Sequence, residues 1–147
     1  GAFVQPKVHD VAYLTLQFPN GVLADVRVSW LDPCKIRRIT VVGSKKMVVY
    51  DDVEAMEKIK IYDKGVDVPP YSDTLEEFHL SYHYGDITTP AISGAEPLRL
   101  ECQHFLDCIR TGETPRSDGR DGLDVVRILE AATRSLLNGG TGEGIRL

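Results

Sequence analysis

Residues 11–33, VAYLTLQFPNGVLADVRVSWLDP, decide the fold of this chain, because apolar side chains recur at every second position on both sides of a turn signal. Alternate residues of a β-strand lie on the same face, so each half of the stretch predicts a strand with one apolar face. Between the halves stands Pro-Asn-Gly at 19–21, and Asn-Gly tolerates the positive φ angles of tight turns. The stretch therefore predicts a β-hairpin in which residues 11–18 pair with residues 22–30.

Further alternating segments predict three more strands, at residues 37–42, 46–50 and 58–62. Residues 64–95 carry several Pro and Gly and show no sustained helical period, which predicts a long irregular excursion with one short strand at residues 79–84. One face of the predicted strands is apolar and the other is mixed. This pattern is typical of an antiparallel sheet that is covered on one side only.

Two amphipathic segments near the C-terminus predict helices. The first begins at Pro97 and ends at Gly112, and the second begins at residues 117–118 and ends at Gly139. Strands followed by helices favour a single α+β domain over residues 1–147, with a largely antiparallel open β-sheet and the helices packed on one face. The other face is left for solvent or for a homo-oligomer interface, and its mixed, partly aromatic composition favours the interface.

Charge and composition argue against several classes of protein. A net charge of −5 at pH 7 disfavours a nucleic-acid binder, which needs a basic surface to displace counterions. No apolar run approaches the ~20 residues of a membrane helix, so no membrane partner is expected. The three cysteines lack metal-binding spacing and indicate free thiols, which predicts a cytoplasmic protein. The chain runs from Gly1 almost directly into a strand, which predicts a fragment of a longer protein.

Motifs that carry chemistry are scarce. His79, His83 and Asp86 would suit a metal on a helix, but in an extended segment the two histidines lie ~13 Å apart, so no metal site is expected. The sequence contains no nucleophile elbow of the G-x-S-x-G type. The glycine-rich residues 139–144 follow a predicted helix instead of joining a strand to one, so they are not a dinucleotide-binding fingerprint.

One indole and three cations collect where the hairpin ends and the next strand begins. Lys35, Arg37 and Arg38 suit an anionic ligand, because the planar fork of Arg matches carboxylate or phosphate. Trp30 adds an apolar platform. The alternative is that the arginines form salt bridges within the sheet. Strand alternation also places Arg37 and Arg38 on opposite faces unless a bulge intervenes.

Several short motifs occur in a fixed order along the chain. They are FPNG at 18–21, SWLDP at 29–33, VGS at 42–44, YGD at 84–86, EPL at 96–98 and VVRILEAA at 125–132. In this order they resemble the C-terminal domain of the Gfo/Idh/MocA oxidoreductases, over residues 9–137. The subgroup that the chain most resembles contains nucleotide-sugar 3-dehydrogenases.

The resemblance implies a function for the parent enzyme. Such enzymes hold NAD(P) on an N-terminal Rossmann domain and move hydride between a sugar carbon and the nicotinamide. Their catalytic lysine lies in a Glu-Lys-Pro motif and their catalytic histidine in an Asp-x-x-x-His motif, and neither motif occurs in this sequence. The resemblance therefore implies a substrate-binding and oligomerisation domain, inert alone and without a cofactor of its own. The alternative is a stand-alone binding or assembly module with the same fold.

The resemblance also implies a substrate site on the loop from residue 31 to residue 38. Lys35 falls where some members of the family place a side chain that contacts the sugar or nucleotide-sugar substrate. The YGD motif is a second candidate, although its role could be to shape a loop. The substrate-binding residues expected on these grounds are Trp30, Asp32, Lys35, Arg37, Arg38, Tyr84 and Asp86.

Overall fold

The structure is a computed structural model, and it describes residues 4–6, 8–67, 81–92 and 94–146. Its elements are β1 (Val11–Gln17), β2 (Leu23–Ser29), β3 (Arg38–Val42), β4 (Met47–Asp51), β5 (Ile59–Asp67), β6 (Ser81–Thr88), α1 (Pro97–Thr111) and α2 (Gly119–Leu137). Strands thus come first and helices last, and all strand pairs are antiparallel. The predicted α+β class is confirmed.

The predicted hairpin is confirmed in its register and in its turn. β1 pairs with β2 from Val11↔Ser29 to Gln17↔Leu23. Gly21 has a φ of 82°, which only glycine adopts without strain, and its N–H donates to the Phe18 carbonyl over 2.9 Å. The even-numbered side chains of β1 are half-buried whereas three of the odd-numbered ones are exposed, as the alternation predicts.

The six strands form two sheets, a division that the sequence pattern does not reveal. β1 and β2 make one sheet, and the other has the order β3-β4-β5-β6. The chain forms two compact units, one comprising Gly1–Leu31 with Ala95–Leu147 and the other Asp32–Gly94. In the second unit every side chain of β4 is half-buried whereas every side chain of β3 is exposed, so β3 is an edge strand in burial as well as in order.

The last two strands are longer than predicted. β5 continues from Ile59 to Asp67 and β6 continues to Thr88, so residues 64–67 and 85–88 belong to strands and not to an irregular excursion. Several Pro and Gly residues led to that prediction, although an isolated Gly inside a strand pattern can also indicate a close approach of the backbone. Here Gly65 lets β5 pass the β3–β4 turn at close range, and the Val66 N–H donates to the Ser44 carbonyl over 3.1 Å. Residues 79–80 of the predicted short strand lie outside the described residues.

Both helices begin and end where their sequence signals predict. The Glu96 carboxylate caps the N-terminus of α1, with Pro97 as its first residue, and Gly112 ends the helix at a φ of 75°. Asp118 caps α2 and forms a reciprocal capping box with Asp121. Neither helix is long and apolar enough to cross a membrane, and no other helix occurs in the described part of the chain.

Apolar side chains are exposed to an unusual degree in the described residues. Cys108 and Ala131 are the only buried hydrophobic residues among them. Both helices expose apolar side chains, including Leu98, Phe105 and Ile109 in α1 and Leu123, Val126 and Leu129 in α2.

Gly65→Ala tests the close approach of β5 to the β3–β4 turn. A Cβ at this position would collide with the Ser44 carbonyl oxygen and would lie 3.0 Å from the Lys45 Cα. Because both are main-chain atoms that cannot move aside, we expect the substitution to lower the free energy of unfolding by roughly 1–3 kcal/mol in urea titrations. Gly94→Ala is the control, since nothing lies within 4 Å of its added Cβ. Equal decreases in the free energy of unfolding of the two variants would contradict the close approach of β5 to the turn.

Candidate functional site

Trp30 and Asp32 each take part in a hydrogen bond of the main chain or to it. The Trp30 N–H donates to the Asp10 carbonyl over 2.9 Å, and its indole is 86 % exposed. The Asp32 carboxylate accepts the Cys34 N–H at 3.0 Å, which makes a side-chain turn around Pro33. Asp32 is therefore used in shaping the loop that carries Lys35. Trp30 belongs to the first compact unit and Asp32 to the second.

Arg38 is bound by a carboxylate on the neighbouring strand. It lies directly opposite Asp51 in the β3–β4 register. Its Nε and Nη2 both donate to the Asp51 Oδ2, over 3.0 Å and 2.7 Å. These hydrogen bonds hold the pKa of the Asp51 carboxyl below its ordinary value, against the opposing effect of partial burial. The guanidinium fork that the sequence offers to a substrate is thus engaged within the sheet.

Arg37 is bound by a different carboxylate, that of Asp52. The Arg37 Nη1 lies 3.6 Å from the Asp52 Oδ2, and the Lys58 Nζ lies 3.6 Å from the Asp52 Oδ1. The Tyr50 hydroxyl donates to the same Oδ1 over 2.9 Å. That hydrogen bond is the main cause of a lowered pKa at Asp52 and of a raised pKa at Tyr50. The two arginines use consecutive carboxylates, as expected from residues on opposite faces.

Lys35 differs from the two arginines. It is exposed, and it makes no hydrogen bond or ion pair with any residue that the structure describes. Of the three cations in this stretch, Lys35 is the one whose charged group is not paired with a carboxylate in the described part of the chain. It is accordingly the cation best placed to bind an external anion.

Tyr84 and Asp86 lie on β6, at the opposite edge of the sheet from β3. Neighbouring strands are ~4.8 Å apart, so three strand spacings separate the two edges by roughly 14 Å. The structure therefore does not gather the two arginines and the YGD residues into one pocket. It places Arg37 and Arg38 at one edge of the sheet and Tyr84 and Asp86 at the other.

Several contacts around Tyr84 were not predicted from the sequence. The Lys64 Nζ lies 4.5 Å from the centre of the Tyr84 ring, a cation–π distance. The Asp63 Oδ1 lies 3.3 Å from the His83 Nε2. Lys64 belongs to the segment that was predicted to be irregular, and Asp63 directly precedes it. Only the isolated Gly85 in a strand pattern could have indicated special geometry.

The predicted absence of a metal site concerns His79, His83 and Asp86. His79 lies outside the described residues. Among residues 4–6, 8–67, 81–92 and 94–146, no group of three or more His, Cys, Asp or Glu side chains is arranged to hold a metal ion. His83 instead lies beside Asp63.

Comparison with known proteins adds one positive finding. The family model described as "Oxidoreductase family, C-terminal alpha/beta domain" matches residues 2–142. No curated protein and no solved structure matches the chain. The match covers nearly the whole sequence, including both edges of the four-stranded sheet and both helices.

Asp51→Asn tests the Arg38–Asp51 pair through pH. The folded-state pKa of Asp51 is lowered from 3.8, so the pair stabilises the fold above that pH and the stabilisation is lost as the pH falls through the folded-state pKa. We expect the free energy of unfolding of the variant, measured in urea between about pH 5 and pH 2, to fall less steeply than that of the wild type. Arg38→Gln removes the other partner of the pair and should reduce the pH dependence of the free energy of unfolding over the same range. Identical slopes in all three proteins would show that the pair does not stabilise the fold.

Proposed function

This chain belongs to the Gfo/Idh/MocA oxidoreductase family as a C-terminal α/β domain, and from that membership we propose that it is the substrate-binding and oligomerisation domain of an NAD(P)-dependent dehydrogenase. The proposed substrate is a sugar or nucleotide sugar, which loses hydride from a hydroxyl-bearing carbon to the nicotinamide. The family match over residues 2–142 is the observation that carries the proposal.

The described residues do not fit a nicotinamide dinucleotide. Proteins bind its pyrophosphate at free helix N-termini, where main-chain N–H groups point at the anion. Here the carboxylates of Glu96 and Asp118 occupy the N-termini of α1 and α2. A carboxylate at each position would repel a phosphate and already accepts the N–H groups. We therefore assign the cofactor, and the catalytic lysine and histidine of the family, to a separate Rossmann domain, and we expect this domain to be inert alone.

The charges at the β3 edge support a substrate-binding role for the loop that precedes it. Asp51 and Asp52 engage Arg38 and Arg37, so the arginines hold the sheet end in place. Lys35, a few residues earlier, presents an ammonium group to solvent. A lysine acts as a point charge toward phosphate, and a nucleotide sugar carries a diphosphate. Lys35 is thus the residue of the expected set that is best suited to anchor the anionic part of the substrate.

The exposed face of the β1–β2 hairpin supports the oligomerisation role. Tyr13 lies directly opposite Arg27, whose guanidinium carbon is 5.4 Å from the centre of the tyrosine ring. Tyr13 and Leu23 on this face are 64 % and 66 % exposed. Aromatic and Arg side chains are enriched in protein interfaces, so this composition suits contact with a second copy of the chain.

Lys35→Ala tests the substrate-binding role in an enzyme that joins this domain to its cofactor domain. We expect KM for a nucleotide-sugar substrate to rise about tenfold with little change in kcat, because the substitution removes a charge-assisted contact and not a reacting group. Lys45→Ala is the control, since Lys45 is also exposed but lies in the β3–β4 turn. An unchanged KM in Lys35→Ala would overturn the assignment and would favour a purely structural assembly role.

Light scattering over a concentration series tests the oligomerisation role. We expect a mass of at least twice that of the chain, and we expect Tyr13→Arg to reduce it toward the monomer by placing a charge on the exposed hairpin face. Val28→Arg is the matched control, because Val28 pairs with Ala12 on the other face of the hairpin. A monomeric wild type would overturn the proposed self-association. If Val28→Arg alone caused dissociation, the interface would lie on the face of the hairpin that carries Val28 and not on the face that carries Tyr13.

A further inference from the structure

The YGD motif forms a β-bulge in β6. Tyr62 pairs with Ile87 and Lys64 pairs with Tyr84, so the register shifts between these two pairs. One residue of β5, Asp63, therefore lies opposite two residues of β6, Gly85 and Asp86. A bulge of this kind bends its strand and changes the direction of side chains, and bulges are over-represented beside active sites.

Gly85 is needed in this bulge for space. The described glycines with positive φ are Gly21, Gly112, Gly139 and Gly140, so backbone conformation does not explain a glycine at 85. A Cβ added to Gly85 would collide with the Asp63 Oδ2 and would lie 3.0 Å from the Asp63 Cβ and Cγ. The Asp63 carboxylate thus occupies the volume in which any other residue at position 85 would place its side chain.

Asp63 and its neighbour Lys64 also fix the residues before the bulge. The Asp63 Oδ1 lies 3.3 Å from the His83 Nε2, and the Lys64 Nζ lies over the Tyr84 ring. Three consecutive residues of β6, from His83 to Gly85, are therefore each in contact with β5 side chains. This arrangement leaves little freedom in the register at which the strand enters the bulge.

Asp86, the next residue, is different from the three before it. It is exposed and makes no hydrogen bond or ion pair with the residues that the structure describes. A carboxylate that is ionised offers two acceptor oxygens and no donor, so it suits a ligand that presents hydrogen-bond donors. In the proposed function, the hydroxyl groups of the sugar are those donors.

We propose that Asp63 is a positioning residue, whose carboxylate fills the space left by Gly85 and holds the bulge that presents the Asp86 carboxylate to hydroxyl groups of the substrate. This inference rests on the proposed sugar-binding function for the role of Asp86. The interlock between Asp63 and Gly85 does not depend on that function, and the two can be tested separately.

Thermal unfolding of single and double variants tests the interlock. We expect Gly85→Ala to lower the midpoint temperature by roughly 5 °C, because the added methyl collides with Asp63. In an Asp63→Ala background the same substitution should lower it by less than half as much, since the colliding carboxylate is gone. Gly94→Ala, in open space, is the control. Equal decreases in both backgrounds would overturn the interlock.

NMR titration of the chain with UDP-glucose tests the presentation of Asp86. In the wild type we expect chemical-shift changes at the β6 amides. The affinity should be about fivefold weaker in Asp86→Asn and in Asp63→Ala. Asp63→Asn should keep near wild-type affinity, because asparagine keeps the shape of the side chain and an acceptor oxygen. Wild-type affinity in Asp63→Ala together with a loss in Asp86→Asn would overturn the positioning role and leave the proposed function standing. The absence of wild-type binding would overturn the substrate class, and with it the role of Asp86, whatever the unfolding data show for the interlock.

Discussion

The Arg38–Asp51 pair is the interaction on which the proposed substrate loop depends. β3 is an edge strand with exposed side chains, and β4 is the strand that it pairs with in the described sheet. The two hydrogen bonds from one guanidinium to one carboxylate oxygen join Arg38, the first residue of β3, to Asp51, the last residue of β4. The loop that carries Lys35 ends at this point, so the pair determines where the lysine emerges. Two hydrogen bonds also restrict the guanidinium more than a single one does.

Local signals were sufficient to predict the hairpin and the helices, because each depends on residues close together in sequence. Asn20-Gly21 determined the turn, and carboxylates at 96 and 118 determined the helix starts. The partners of the arginines could not be predicted in the same way. Asp51 lies thirteen residues after Arg38, and only the strand register brings the two together. The sequence predicted these cations for a ligand, with salt bridges within the sheet as the alternative, and the structure shows the arginines in ion pairs.

Glycine explains why the second half of the sheet was harder to predict. Gly65 and Gly85 lie in the segment that was predicted to be mostly irregular, yet each belongs to a strand and permits a contact that a side chain would block. At Gly65 the neighbour is the main chain of the β3–β4 turn, and at Gly85 it is the Asp63 carboxylate. Both contacts join residues twenty or so positions apart, which no local propensity encodes. For the same reason, the bulge and the position of Asp86 could not be predicted from the sequence.

The separation of the two charged groups constrains the ligand that one domain could bind through both. Lys35 lies shortly before β3, one edge strand, whereas Asp86 lies in β6, the other edge strand, and the two edges are roughly 14 Å apart by strand spacing. A free monosaccharide contacts one edge at most. A nucleotide sugar is elongated, and it carries an anionic diphosphate beside a hydroxyl-rich ring. Under the proposed function, a cation at one edge and a hydrogen-bond acceptor at the other would match that division, so we propose the nucleotide sugar and not the free sugar as the substrate class.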